Sequence, residues 1–365
     1  QMMRIRQEKR RKRRIRVYSL LGAGAAVILV AGVGIAGLIG RGKERKSQET
    51  SAVSGQMNEE GQTLAEELMT EPETEPVTEP AAEPAAEKKQ YSAKTTAETK
   101  TMNGEVFSNY GIFIDLETDT VLAERNSFAV INPASMTKIM TTILAIENLK
   151  DLNQEITITN DMVADLYVQD AMQAGFQPNE TVKAIDLLYG VMLPSGAECC
   201  VALADTVAGS VSDFVTLMNE KAEKLGMTGT HFSSISGLHR EDHYSTAKDI
   251  ALLLRYAIKN DTFREIIESP YHSTSGTNIH PDGITFYSTM FKNLSDTSVI
   301  DGEIKGGKTG YTSQAGHCLA SFAEIDGVEY ILVTAGAPGT GNPHIDDAVK
   351  LYNRLGESSS VLYGR

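Results

Sequence analysis

Twenty-four consecutive residues without a charge, Val17 to Gly40, separate a strongly basic N-terminal segment from the rest of the chain. At about 1.5 Å per residue such a run is long enough to cross a bilayer as one helix. Nine Arg or Lys fall within residues 4 to 16, and four more follow between Arg41 and Lys46. The positive-inside rule then predicts a cytoplasmic basic segment (1–16), a transmembrane helix acting as a signal anchor (17–40), and everything later outside the membrane. A cleaved signal peptide is the competing reading, because small residues crowd "VAGVGIAGLIG". No clear A-x-A site is present, and the uncleaved anchor is preferred; both readings place the rest of the chain outside. A buried core helix of this length would show a polar face.

Residues 41–101 are expected to form a disordered linker. Eleven glutamates lie between Glu49 and Glu87, and "TEPETEPVTEPAAEPAAE" repeats Glu-Pro at short intervals. Low hydrophobicity with like charge does not offset the entropy of ordering, and proline with self-repulsion favours an extended stalk. Much of the formal charge of −14 comes from this stalk, so no nucleic-acid surface is read from it.

The remainder, 102–365, is ample for one self-sufficient core. Its three cysteines, Cys199, Cys200 and Cys318, include an adjacent pair. That pattern is implausible for a disulfide framework and predicts core packing. "YGIFIDLETDTVLAERN" reads as a hairpin with strands at 110–116 and 120–125. Asn132 and Pro133 predict a helix start, with apolar spacing carrying that helix to about Leu149. Further helices are predicted at 182–193, 196–208, 211–225 and 246–260, the last capped by Thr246 with Asp249. From Glu303 the texture becomes strand-like, and Asp326-Gly327 predicts a hairpin between "GHCLASFAEI" and "VEYILVTAGA". A helix over 346–355 closes the chain. Early strands, a helical middle and late strands predict an α+β fold, an antiparallel sheet covered by helices with both chain ends in one sheet.

Three short stretches carry chemistry. In "NPASMTKIM" an Asn132 cap would place Ser135 in the first helical turn, where free amides and the macrodipole favour an oxyanion. Lys138 follows at i+3, on the same face, and its apolar neighbours would lower its pKa toward general-base use. In "LPSGAECC", Ser195 is either part of a second catalytic turn or a cap paired with Glu198. In "GGKTGYT", glycines around Lys308 and Thr309 permit an extended peptide to lie along an edge strand with its carboxylate on those two residues; a glycine-rich kink is the structural alternative. His239 and His243 in "HREDH" lie in a loop before a helix cap and lack the helical i, i+4 geometry of a zinc site.

Taken in order, Ser-x-x-Lys, a Ser-Gly turn and Lys-Thr-Gly resemble the penicillin-binding and serine beta-lactamase superfamily. "INPASMTKIMT", "LPSGAECCVALAD", "FVTLMNEKAEKLGMTGTHF", "GLHREDHYSTAKDIALLL" and "GGKTGYTSQAGHCLAS" look like the D-alanyl-D-alanine carboxypeptidases, the low-molecular-mass penicillin-binding proteins, over roughly residues 105–340. The resemblance implies a beta-lactamase/transpeptidase-like α/β fold with a helical subdomain. It also implies acyl transfer on peptidoglycan stem peptides ending in D-Ala-D-Ala, covalent inhibition by beta-lactams, and no metal or other cofactor. Ser135 would be the nucleophile, Lys138 its base, and Ser195 a proton relay to the leaving D-alanine. Lys308 and Thr309, with Gly310 and Tyr311 completing the strand motif, would bind substrate; the amides of Ser135 and Tyr311 would form the oxyanion hole. The chain departs from the family at Ala197, where Asn is usual, and near the last strand, where His344 stands in a region that often supplies an Arg. A beta-lactamase-like hydrolase and a non-catalytic penicillin-binding or sensor module are the alternatives on the same fold.

Overall fold

The computed structural model describes residues 93–363, leaving aside 103, 105 and 170 and the side chains of 165, 167, 168 and 356–363. The basic segment, the predicted membrane helix and the linker up to residue 92 lie outside the described residues. Among the described residues, no single helix is long and apolar enough to cross a membrane.

Seven strands form the main sheet: β1 (Lys94–Thr101), β2 (Tyr110–Asp115), β3 (Thr120–Arg125), β4 (Ser298–Val299), β5 (Gly302–Thr312), β6 (Gly316–Ile325) and β7 (Val328–Ala337). Their order across the sheet is β1-β3-β2-β7-β6-β5-β4. β2 pairs antiparallel with β7, from Asp115 opposite Tyr330 to Tyr110 opposite Ala335, so the early and late strands meet as predicted. Two corrections apply at the sheet edge. β1 pairs parallel with β3, against the expected wholly antiparallel sheet, and it occupies residues assigned to the linker. β1 is almost entirely exposed and polar, "KTTAETKT", so it carries no hydrophobic pattern; its backbone joins the edge of β3 without burying a side chain.

The central strands are apolar on both faces because both are covered. Alternation along β2 and β7 sends Ile112, Ile114, Ile331 and Val333 into the larger core, and Phe113 and Leu332 into the smaller one. Ile345, Ala348, Leu351 and Tyr352 of the terminal helix close the smaller core, with Tyr352 edge-on to Phe113 at 5.4 Å.

Among the described residues the larger core holds seven helices: α1 (Lys138–Asn148), α2 (Asn160–Val168), α3 (Ala184–Met192), α4 (Ala197–Ala208), α5 (Val211–Leu225), α6 (Ala247–Ala257) and α7 (Asp261–Glu268). The terminal helix is α8 (Pro343–Tyr363), longer than the predicted 346–355. Caps define several ends: Ser210 accepts from the Asp213 N–H, Thr246 from Asp249, and Asn260 from Phe263. The short α2 and α7, and the small hairpin pairing Tyr271–Ser273 with Thr285–Tyr287, gave no separate sequence signal. All three cysteines are free and buried, as expected of core residues.

Phe322 on β6 is fully buried in the larger core. Phe322→Ala should lower unfolding free energy by about 3–5 kcal/mol, read from urea denaturation of the folded region.

Candidate active site

The chain enters α1 through a 3-10 turn, Ala134–Thr137, and this corrects the predicted helix start. Asn132 makes no cap; its Oδ1 meets His239 Nδ1 at 3.2 Å, and Pro133 holds the cap position with no side-chain bond. The α-helix begins only at Lys138. Ala134 takes a positive φ of 47°, so the backbone folds sharply just before Ser135. The serine therefore sits on a tight elbow rather than inside regular helix.

Lys138 remains one turn beyond it. Its Nζ donates to Ser135 Oγ at 3.2 Å and to the Ser236 carbonyl at 2.6 Å, with the side chain only 2% exposed. Burial pushes the ammonium below its ordinary range, opposed by the nearby Cys200, Glu198 and Cys199. The loop that supplies Ser236 is itself fixed. His243 Nδ1 accepts the N–H groups of Ser233 (3.1 Å) and Ser234 (3.3 Å), which leaves Nε2–H to donate to Thr137 Oγ1 at 2.8 Å. Burial holds His243 down at about 4, so it stays neutral at ordinary pH. His243 thus braces the loop against the turn, and His239 has its own partner.

Strand β5 lies directly on the elbow. A Cβ on Gly310 would stand 3.0 Å from both Ala134 Cβ and Ser135 N, so any larger residue there would push the strand and the elbow apart by a few tenths of an ångström. Lys308, on the same face, is fully buried, and its Nζ donates to the Thr309 carbonyl at 3.0 Å. Thr309 Oγ1 meets Thr289 Oγ1 at 2.6 Å. Tyr311 is 60% exposed, with its ring 4.6 Å from that of His317.

Ser195 ends the α3–α4 connection with a positive φ of 70°. Gly196, not Ser195, occupies the cap position of α4, and Glu198 turns away to accept the Gly175 N–H, so the alternative Ser195–Glu198 capping box is absent. Ser195 Oγ is buried without a hydrogen-bond partner. The Thr289 N–H donates to the Leu193 carbonyl at 3.1 Å. Thr289 thereby ties the Ser195 turn to Thr309 on β5.

The fold thus gathers Ser135, Lys138 and Lys308 at one junction and ties the Ser195 turn to it. Sequence reasoning missed the Ser236 carbonyl, His243 and Thr289. "GLHREDHYSTAKDIALLL" was a recognisable stretch, but a carbonyl acceptor leaves no side-chain signal. His344 does not take over a charged role. It is buried and stacked on His317 at 5.1 Å between ring centroids, with Nδ1 unpartnered, and burial holds it down at about 4. Among the described residues, no group of three or more His, Cys, Asp or Glu side chains is placed to hold a metal ion.

A serine on an elbow, a buried lysine against its hydroxyl and a Lys-Thr-Gly strand beside them form the arrangement that serine acyl transfer would require, and comparison with known proteins gives the family. The family model for D-alanyl-D-alanine carboxypeptidase matches residues 94–339, and the chain belongs to that family. It is 31% identical over 232 residues to D-alanyl-D-alanine carboxypeptidase DacF of Bacillus subtilis (strain 168), covering 62% of this chain and 56% of that protein. It is 32% identical over 253 residues to DacC of Escherichia coli (strain K12), covering 68% and 60% respectively. The matched region therefore spans less than two thirds of these relatives' length. The crystal structure of the Streptomyces K15 DD-transpeptidase superposes with a TM-score of 0.62 at 27% identity, over 70% of this chain and 99% of that one. The D-alanyl-D-alanine carboxypeptidase of Mycobacterium tuberculosis H37Rv gives a TM-score of 0.59 at 26% identity, over 67% and 89%.

Burial, then repulsion from Lys138, pushes Lys308 well below the ordinary 10.5. Between that depressed value and 10.5 the unfolded chain holds a proton that the folded chain has released, so stability is lost as pH falls through this interval and regained as it rises. Urea midpoints taken from about pH 7 to 10.5 should climb less steeply with pH in Lys308→Met than in the parent chain.

Proposed function

We propose that this chain is a serine D-Ala-D-Ala carboxypeptidase that removes the terminal D-alanine of peptidoglycan stem peptides through an acyl-enzyme on Ser135. The observation that carries the reading is the buried Lys138 Nζ, 3.2 Å from Ser135 Oγ, beside the Lys308-Thr309-Gly310 strand. Burial favours the neutral amine, which accepts the Ser135 proton as Oγ attacks the carbonyl carbon of the penultimate residue. The resulting oxyanion is assigned to the backbone amides of Ser135 and Tyr311. As the C–N bond breaks, Ser195 passes a proton to the leaving amine; its buried, unpartnered hydroxyl supports that role. Lys308 and Thr309 hold the terminal carboxylate, a charge that would favour the ammonium form of the buried lysine. With His344 held neutral by burial, the positive charge for this grip falls to Lys308. Water then cleaves the ester. A beta-lactam would acylate the same hydroxyl, its opened ring remaining attached.

The membrane assignment belongs to the same proposal: the 17–40 run anchors the chain and the catalytic domain works outside, where the wall peptide is. The basic flanks of that run support it. Protease added to intact cells should release the catalytic domain and spare an N-terminal tag. Loss of the tag with the domain still inside would reverse the topology.

A reporter penicillin should label Ser135, as located by peptide mapping, and Ser135→Ala should abolish labelling. The labelling rate should rise with pH through a midpoint below the lysine's ordinary 10.5, and Lys138→Ala should slow it by about 10²- to 10⁴-fold. Free D-alanine should appear from a pentapeptide ending in D-Ala-D-Ala. Ala197, which offers no side-chain amide for the substrate, favours the sensor alternative, and labelling without D-alanine release would establish it. Rapid loss of the label would instead mark a beta-lactamase.

A further inference from the structure

Glu198 follows Ala197 in the first turn of α4 and is fully buried. Its Oε1 accepts the Gly175 N–H at 2.8 Å, while Oε2 is buried without a partner. Burial disfavours its charge, and the groups that favour it are the backbone amides of Gly175, of Glu198 itself, and of Ala174 and Phe176, so the carboxyl group and that segment hold each other. The anchored piece, residues 171–177, has no regular structure and lies on the Ser195 turn. The Ala197 N–H donates to the Met172 carbonyl at 2.8 Å, and a Cβ on Gly196 would come within 2.8 Å of Ala174 Cβ. Gly175 has φ +126°, a backbone direction that L side chains rarely adopt, yet a Cβ there would meet only Ile284, at 3.9 Å. Its conformation is therefore what calls for glycine, not crowding, and in that conformation its N–H reaches Glu198.

Ser195 has no side-chain hydrogen bond of its own, so its placement depends on the backbone around it. We propose that Glu198 is a positioning residue: by holding the Gly175 amide it fixes segment 171–177 against the Ser195–Gly196 turn, and so sets where the Ser195 hydroxyl stands relative to Ser135 and Lys138. With alanine at 197, the neighbouring carboxylate organises this side of the site through the backbone rather than by touching substrate. The proposal rests on the reading of Ser135 as the acylated nucleophile.

The experiment compares Glu198→Ala, Glu198→Gln, Gly175→Ala and the double variant Glu198→Ala with Gly175→Ala. It measures the labelling rate with a reporter penicillin and hydrogen exchange at residues 172–176. Glu198→Ala should slow labelling by about 10- to 100-fold, the scale of a sub-ångström to 1 Å misplacement, and expose the Gly175 amide to exchange. Glu198→Gln keeps an oxygen acceptor and should stay within about threefold of the parent chain. Gly175→Ala, which keeps the amide but cannot hold its φ of +126° without strain, should slow labelling comparably, and the double variant should be no slower than the slower single, since both loosen the same contact. Met218→Ala, which empties a buried site on α5, should be destabilised yet label within about twofold of the parent rate. Unchanged exchange in Glu198→Ala, a glutamine variant as slow as the alanine one, or multiplicative losses would each overturn the proposal. If Glu198→Ala does not fold, a normal labelling rate in Gly175→Ala overturns it. If the parent chain takes no label at all, the reading of Ser135 fails by itself, and exchange at Gly175 still decides whether Glu198 anchors the segment.

Discussion

The site is organised around one buried lysine nitrogen. Lys138 Nζ is shared between the Ser135 hydroxyl on its own elbow and the Ser236 carbonyl on a distant loop, and the remaining architecture keeps it dry and in place. An amine so buried loses the solvation that stabilises its charge, which lowers its pKa and favours the neutral form. The same burial demands that every partner be exact in position, because an unsatisfied group in that interior would be costly. His243 holding two amides with one ring nitrogen and Thr137 with the other is the brace that meets this demand.

A second buried lysine, Lys308, stands beside the first, and the charge of Lys138 disfavours its own. Two such groups side by side in the interior are a poor arrangement for stability and a useful one for the acylation proposed above. One amine is left able to take a proton, and the other gains most from an anion arriving beside it. The strand that carries Lys308 lies close on the elbow, helped by the missing side chain at Gly310, so the electrostatics lean on a steric fact about one residue. Thr289 extends the same logic, joining the Ser195 turn to Thr309 by one backbone and one side-chain bond.

Most of the regular structure was legible in the chain. The strand-like runs at 110–116 and 120–125 around a polar turn, the Asp326-Gly327 turn and the Thr246 cap each report a local preference that tertiary packing reinforced. Segments without a local preference were not legible. β1 is polar and exposed, and it exists because an edge of β3 was open to pair with it. The Asn132 cap failed because Asn132 contacts His239 and Ala134 bends the chain before the helix can begin. Both outcomes depend on partners more than a hundred residues away or on a neighbouring strand, and a window of sequence contains neither.

By itself the sequence determined which residue types stand at Ser135, Lys138, Ser195 and Lys308-Thr309-Gly310, and that the first two are one turn apart. It also set the charge-free run with basic flanks that underlies the proposed membrane anchor, and the apolar runs that build the central sheet. Only the tertiary structure decided that Lys138 would be dry, that the Ser236 carbonyl would share it, that His344 would be buried beneath His317, and that Glu198 would turn to the Gly175 amide rather than cap its own helix. The reason is physical. Spacing along the chain fixes neighbours within a turn or a strand, whereas burial and long-range hydrogen bonds are properties of the packed interior, created only when distant segments exclude water together.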